Sequence, residues 1–198
     1  MLEFYFDCSS PWTYLAFESI QAIASRPDVT IEYKPILVGG VFNTINPSVY
    51  ESRANPIPEK ARYYQKDMQD WARLVGVQIG APAVFPVNSA KVMRGAFVAI
   101  EQHCLVPYAR AAFQRYWSDL ADISQDEEVE GIAEAAGLDA QSLLRRIGTP
   151  ECKQLLRDST EELMSRGGFG SPTMFLDGDD MYFGNDRIAL LAATLDRQ

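Results

Sequence analysis

Leu2-Glu3-Phe4-Tyr5-Phe6-Asp7-Cys8-Ser9-Ser10-Pro11-Trp12-Thr13 decides how this chain folds. Leu2 to Phe6 is an apolar, aromatic run of strand length, and it reads as a buried strand. Ser10-Pro11 then marks a helix entrance. A serine there accepts from the open N–H groups of the first turn, and proline at the first helical position lacks an N–H that has no intrahelical partner anyway. Tyr14, Leu15, Phe17, Ile20, Ile23 and Ala24 recur at helical spacing between Trp12 and Ser25, and Arg26-Pro27-Asp28 ends the helix. Val29 to Ile36 alternates with a period near two and is a second strand. The opening is therefore a βαβ unit with a right-handed crossover and two parallel strands. Such a unit puts the end of the first strand and the start of the helix at one sheet edge, where ligands commonly bind. The open N–H groups and helix dipole at Ser10 suit an anion or a thiolate, and the same Ser-Pro pair also serves as a plain cap.

Composition bounds what can bind there. The 198 residues are 47% apolar and 23% charged, enough for one sizeable core or one domain with a large insertion. Lys and Arg number 18 against 27 Asp and Glu, a formal net charge of -9. That balance argues against nucleic-acid partners and against anionic membrane surfaces, so an anionic ligand needs local positive groups. Met1-Leu2-Glu3-Phe4 lacks the basic start and apolar run of a signal peptide, and no stretch has the roughly 20 apolar residues of a membrane span; a cytoplasmic location is expected. Cys8, Cys104 and Cys152 are too few and too widely spaced for a disulfide framework or a zinc ribbon. His103 is the only histidine, so no metal site is expected, and its place after Ala99-Ile100-Glu101-Gln102 reads as a helix end.

Gly39-Gly40 opens a stretch rich in Asn and Pro as far as Pro58, which reads as a long covering loop. Helices are expected at Glu59–Gly76, Ser89–Cys104, Pro107–Ser118, Gln125–Ala136, Ala140–Ile147 and Pro150–Arg166. Thr173-Met174-Phe175-Leu176, the turn Asp177-Gly178-Asp179-Asp180 and Met181-Tyr182-Phe183 read as a β-hairpin. A last helix follows Gly184-Asn185-Asp186-Arg187. The order is βαβ, a run of helices, then ββα. This is an α/β thioredoxin fold with a large all-helical insertion, the thioredoxin-like part spanning 1–38 and 168–198 and the insertion with its connecting loops 39–167.

Three motifs, Phe4-Tyr5-Phe6-Asp7 with Ser10-Pro11-Trp12-Thr13-Tyr14-Leu15, Gly170-Ser171-Pro172-Thr173-Met174-Phe175, and Phe183-Gly184-Asn185-Asp186-Arg187, sit in order along the chain. Together they resemble the 2-hydroxychromene-2-carboxylate isomerases and kappa-class glutathione transferases, which belong with the DsbA-like oxidoreductases. Where the oxidoreductases carry Cys-x-x-Cys, this chain has Ser10-Pro11-Trp12-Thr13, so it cannot run a dithiol exchange cycle at that site. Cys8 lies two residues earlier and reads as a buried or lining thiol.

The resemblance implies that glutathione supplies the missing thiol. Ser10 would be the catalytic residue, donating to the sulfur. Ser10 and Trp12 at the entrance, Ser171 beside a cis Pro172, Asn185 and Asp186 at the last helix and Asn55 in the loop would hold the tripeptide. Lys60 and Arg62 read as surface charges. Asn88, Lys91 and Arg94 would face the substrate and meet its carboxylate. The implied activity is a glutathione-dependent isomerisation of an aromatic 2-oxo acid by reversible thiolate addition. The alternatives are a kappa-like transferase acting on electrophiles, or a non-catalytic glutathione-binding module. A homodimer is what the resemblance suggests.

Overall fold

The computed structural model describes residues 1–197; Gln198, the last residue of the expected 168–198 segment, lies outside the described residues. Four strands form one sheet: β1 (Leu2–Phe6), β2 (Ile31–Pro35), β3 (Thr173–Leu176) and β4 (Asp180–Phe183), in the order β2-β1-β3-β4. β1 runs parallel to β2 and antiparallel to β3, with Phe4 opposite Tyr33 on one side and Met174 on the other. Helix α1 (Pro11–Ala24) makes the crossover between β1 and β2, and α10 (Ile188–Leu195) follows the β3–β4 hairpin. The βαβ and ββα halves of a thioredoxin fold thus meet in one sheet, and among the described residues the other α-helices all lie between β2 and β3.

Alternation along β1 sets the layers, because successive side chains leave opposite faces. Leu2, Phe4 and Phe6 enter the main core with Phe17 of α1, while Tyr5 points to the other face and packs edge-on against Phe175 of β3. The main core continues into the helical part, where Tyr14 of α1 stacks on Phe113 with ring centroids 4.9 Å apart and planes 3° from parallel.

The stretch expected to be a loop is instead largely helical. α2 (Val38–Thr44) and α3 (Ser48–Ala54) precede α4 (Pro58–Val75). Gly39 and Gly40 weaken intrinsic helicity, but Val38 and Val41 bury their side chains, and the Leu37 N–H donates to Thr160 Oγ1 at 3.0 Å. Packing against a distant helix overrides the local signal. Pro47 breaks the path between α2 and α3, and α3 itself buries no residue.

Beyond α4 come α5 (Ala90–Glu101), α6 (Leu105–Phe113), α7 (Asp126–Ala135), α8 (Ala140–Ile147) and α9 (Pro150–Ser165). α6 does not run through Ser118 as an α-helix; it widens into a π-helical turn at Gln114–Ser118 that buries Tyr116 and Trp117. His103 lies two residues past the end of α5 with φ 56°, in the helix-end position expected of it. No helix of the described residues is long and apolar enough to cross a membrane.

Candidate functional site

Ser10 is the N-cap of α1: its Oγ accepts from the Thr13 N–H at 3.2 Å, and Pro11 is the first helical residue. The Ser10 hydroxyl donates in turn to the Ser171 carbonyl at 3.2 Å. That distance is long for an O–H···O bond, whose usual range is about 2.5–3.0 Å. A hydroxyl rotates about its C–O bond, so the same proton can turn to a better acceptor, above all an anion. The helix adds no acidic side chain in its first turn to oppose negative charge.

The Ser171–Pro172 peptide is cis, as the resemblance implied, and so is Phe85–Pro86. The Ser171 hydroxyl meets Thr13 Oγ1 at 2.8 Å and accepts from the Asp7 N–H at 3.1 Å, which ties the turn to the helix entrance. Its own N–H has no acceptor among the described residues. At Gly170 an added Cβ would come within 2.9 Å of the Phe183 ring, so a side chain there would displace that ring from the cleft edge.

Asp7 lies beneath the entrance, fully buried. Burial pushes its carboxyl up, opposed by donation from the Ser9 and Val38 N–H groups, each at 2.8 Å, and from Ser89 Oγ at 3.1 Å. One carboxyl group thus joins the Ser9–Ser10 turn to the starts of α2 and α5. Cys8 is also fully buried, and burial raises its thiol well above the ordinary range. It is a core residue and no nucleophile.

Ser9 to Trp12 form one wall of a cleft of about 1110 Å³ between the thioredoxin-like sheet and the helical part. Gly170, Ser171, Phe183 and Phe42 face it from one side; Tyr64, Met68, Phe85, Asn88 and Trp117 face it from the other. Of the residues singled out in the sequence, the structure gathers Ser10, Trp12, Ser171 and Asn88 here. Asn88 also accepts from the Ala90 N–H at 3.1 Å. Asn185 and Asp186 form a short 3₁₀ turn ahead of α10, which packs on α1. They follow Gly184, whose N–H donates to the Pro172 carbonyl at 3.1 Å. They stand next to the cleft lining without belonging to it; Asn185 is buried and Asp186 pairs with Arg187 at 2.7 Å.

Other residues lie elsewhere. Asn55 is exposed at the end of α3, two positions past a residue that does face the cleft. Lys60 is exposed, and Arg62 pairs with Glu59. Lys91 turns to Asp126 at 2.7 Å, and Arg94 donates to the Ile147 carbonyl at 2.7 Å and borders a different, smaller cavity. Neither lines the cleft. Among the described residues the charged side chain that does is Arg53, which no motif in the sequence marked. The aromatic shelf was equally hidden: Trp117 comes from the π-helical turn, and its indole N–H donates to the Cys8 carbonyl at 2.9 Å. A second cavity of about 810 Å³, beside β2 and His103, contains none of the expected site residues.

Sheet order, cis-proline turn and serine-capped entrance define a thioredoxin-fold protein without a redox-active dithiol. The chain belongs to the DSBA-like thioredoxin domain family, whose model matches residues 1–196. It is 31% identical over 194 residues to a 2-hydroxychromene-2-carboxylate isomerase of Sphingobium xenophagum, covering 98% of this chain and 97% of that one. It is 30% identical over 213 residues to glutathione S-transferase kappa 1 of Rattus norvegicus, covering 98% and 90%. A solved 2-hydroxychromene-2-carboxylate isomerase superposes with a TM-score of 0.83 at 26% identity, over 99% of this chain and 94% of that one.

Proposed function

We propose that the protein is a glutathione-dependent isomerase of the 2-hydroxychromene-2-carboxylate type, with Ser10 as the catalytic residue. The observation that carries this reading is a helix entrance arranged for a thiolate with no thiol of its own: Ser10 caps α1, and Cys8 is sealed in the core. In the proposed complex the Ser10 hydroxyl leaves the Ser171 carbonyl and donates to the glutathione sulfur. Together with the helix N-terminus this favours the thiolate, whose proton passes to water. The unpaired Ser171 N–H supports pairing with the cysteinyl backbone, and Asp186 would exchange Arg187 for the γ-glutamyl ammonium beside Asn185. Asn55 contributes to the tripeptide only if α3 shifts towards it. Lys91 and Arg94 have other partners, which leaves Asn88 of the three expected substrate contacts at the cleft.

The thiolate adds to the conjugated carbon of an aromatic 2-oxo acid, and the electron pair moves to the carbonyl as an enolate. Rotation about the resulting single bond follows. The enolate then re-forms the double bond and expels the thiolate, so no glutathione is consumed. A volume above the roughly 300–1,000 Å³ of a one-ligand pocket supports room for the tripeptide and a second molecule. A kappa-like transferase shares the addition step and stops at the adduct; the likeness to kappa transferases favours keeping it as a second reading.

Glutathione titration followed by thiolate ultraviolet absorbance tests the first step. Ser10→Ala is expected to abolish the thiolate signal and lower turnover by about 10²- to 10³-fold, as for loss of one preorganised donor. An unchanged thiolate signal removes Ser10 from the mechanism. Turnover with glutathione far below substrate concentration supports the isomerase, and stoichiometric consumption the transferase.

A further inference from the structure

Arg53 is the one charged side chain among the described residues lining the cleft, and no described carboxylate pairs with it. Arg26, Arg110, Arg115 and Arg166, by contrast, each reach an acid. Its guanidinium is held by aromatic rings instead, 5.1 Å from the Phe85 centroid and 5.5 Å from that of Phe42. Ring faces orient a guanidinium without using its N–H donors, so the donor fork stays open to a ligand. Phe85 in turn packs on Trp117 at 6.1 Å, and Trp117 is anchored to the Cys8 carbonyl just before the Ser10 turn. An apolar shelf therefore leads from the Ser10 entrance to one open cation, in a chain of net charge -9 that otherwise repels anions.

We propose that Arg53 is the receptor for the carboxylate of an aromatic electrophile, so that the cleft selects an aromatic 2-oxo acid over a neutral ketone of the same shape. The inference rests on the glutathione-dependent reading above for the chemistry, and on the cleft alone for the selectivity. The aromatic body would rest on the Phe85–Trp117 shelf, between the Ser10 entrance and the carboxylate on Arg53. Planar bidentate pairing is what a guanidinium offers and an ammonium does not.

Calorimetric titration of the full chain with phenylpyruvate and with phenylacetone, with and without glutathione, tests it. Neither probe has an alkene conjugated to its carbonyl, so the titration reads binding with no turnover. Wild type is expected to prefer phenylpyruvate. Arg53→Met is expected to weaken phenylpyruvate on the order of 10- to 100-fold, and phenylacetone far less, with Arg53→Lys in between. Equal losses for both probes, or no preference in wild type, overturn the proposal. A loss confined to glutathione assigns Arg53 to the tripeptide's glycine carboxylate and overturns it too. If glutathione fails to bind at all, the isomerase reading falls while the two-probe selectivity still decides the role of Arg53.

Discussion

Among the described residues two arginines rest on aromatic rings, and they differ in what answers their charge. Arg166 lies 3.9 Å from the Phe175 centroid and clamps Glu3 with bonds of 2.9 and 2.7 Å. Arg53 rests on Phe42 and Phe85 with no carboxylate. Glu3 is nearly buried, and the Arg166 hydrogen bonds hold its carboxyl below the usual range against the opposing pull of burial, with further help from Lys34. Stacking alone therefore does not separate a structural arginine from a recognition residue. The supply of a countercharge from within the chain does, because an arginine neutralised at home has few donors left for a ligand.

Removing the clamp should have the largest effect. Arg166→Met leaves the Glu3 carboxylate poorly answered in a nearly buried position, and a loss of about 3 kcal/mol is expected in urea unfolding, at the lower end for a broken buried pair because Lys34 remains 3.9 Å away. A loss below about 1 kcal/mol would show that the two arginines are energetically alike. Replacing both partners, Glu3→Leu with Arg166→Met, should recover most of that loss, since an apolar pair of similar volume removes the orphaned charge.

A smaller effect is expected with pH. The folded-state pKa of Glu3 is depressed, so its stabilisation is present above the unfolded carboxylate value of about 4.3 and disappears as pH falls through the folded value. Asp7, pushed up by burial, acts in the opposite sense over the acid range, and acidification relieves its cost. Comparing wild type with Glu3→Gln in unfolding titrations between neutral and acid pH isolates the first contribution; identical slopes would deny it. The smallest change is expected at the other arginine. Arg53→Met should alter stability by no more than about 0.5 kcal/mol, because it is exposed and unpaired, even while it alters ligand preference. A loss comparable to that of Arg166→Met would make Arg53 a structural strut and erase the contrast.

Local patterns carried much of the architecture. The apolar run of β1, the alternation in β2, the Ser10-Pro11 cap and the Gly-bounded hairpin are signals within a few residues, and each element formed where those signals lay. Gly39 to Ala54 misled because its glycines, asparagines and prolines speak only for local preference, whereas the α2 helix is held by Thr160 of α9. The same limit applies to the cleft. Lys91 and Arg94 look like available cations on a helix, yet Asp126 and the Ile147 carbonyl occupy them from other elements.

By itself the sequence determined the strand and helix order, the hydroxyl in place of cysteine at the helix entrance, and the absence of a free dithiol there. Those follow from residue identity and short-range periodicity. Only the tertiary structure decided that Cys8 is sealed, that a π-helical turn brings Trp117 beside the entrance, and that Arg53 is the cation left facing the cleft. Burial and charge pairing depend on residues far apart in the chain, and no local pattern records which distant partner a side chain will find.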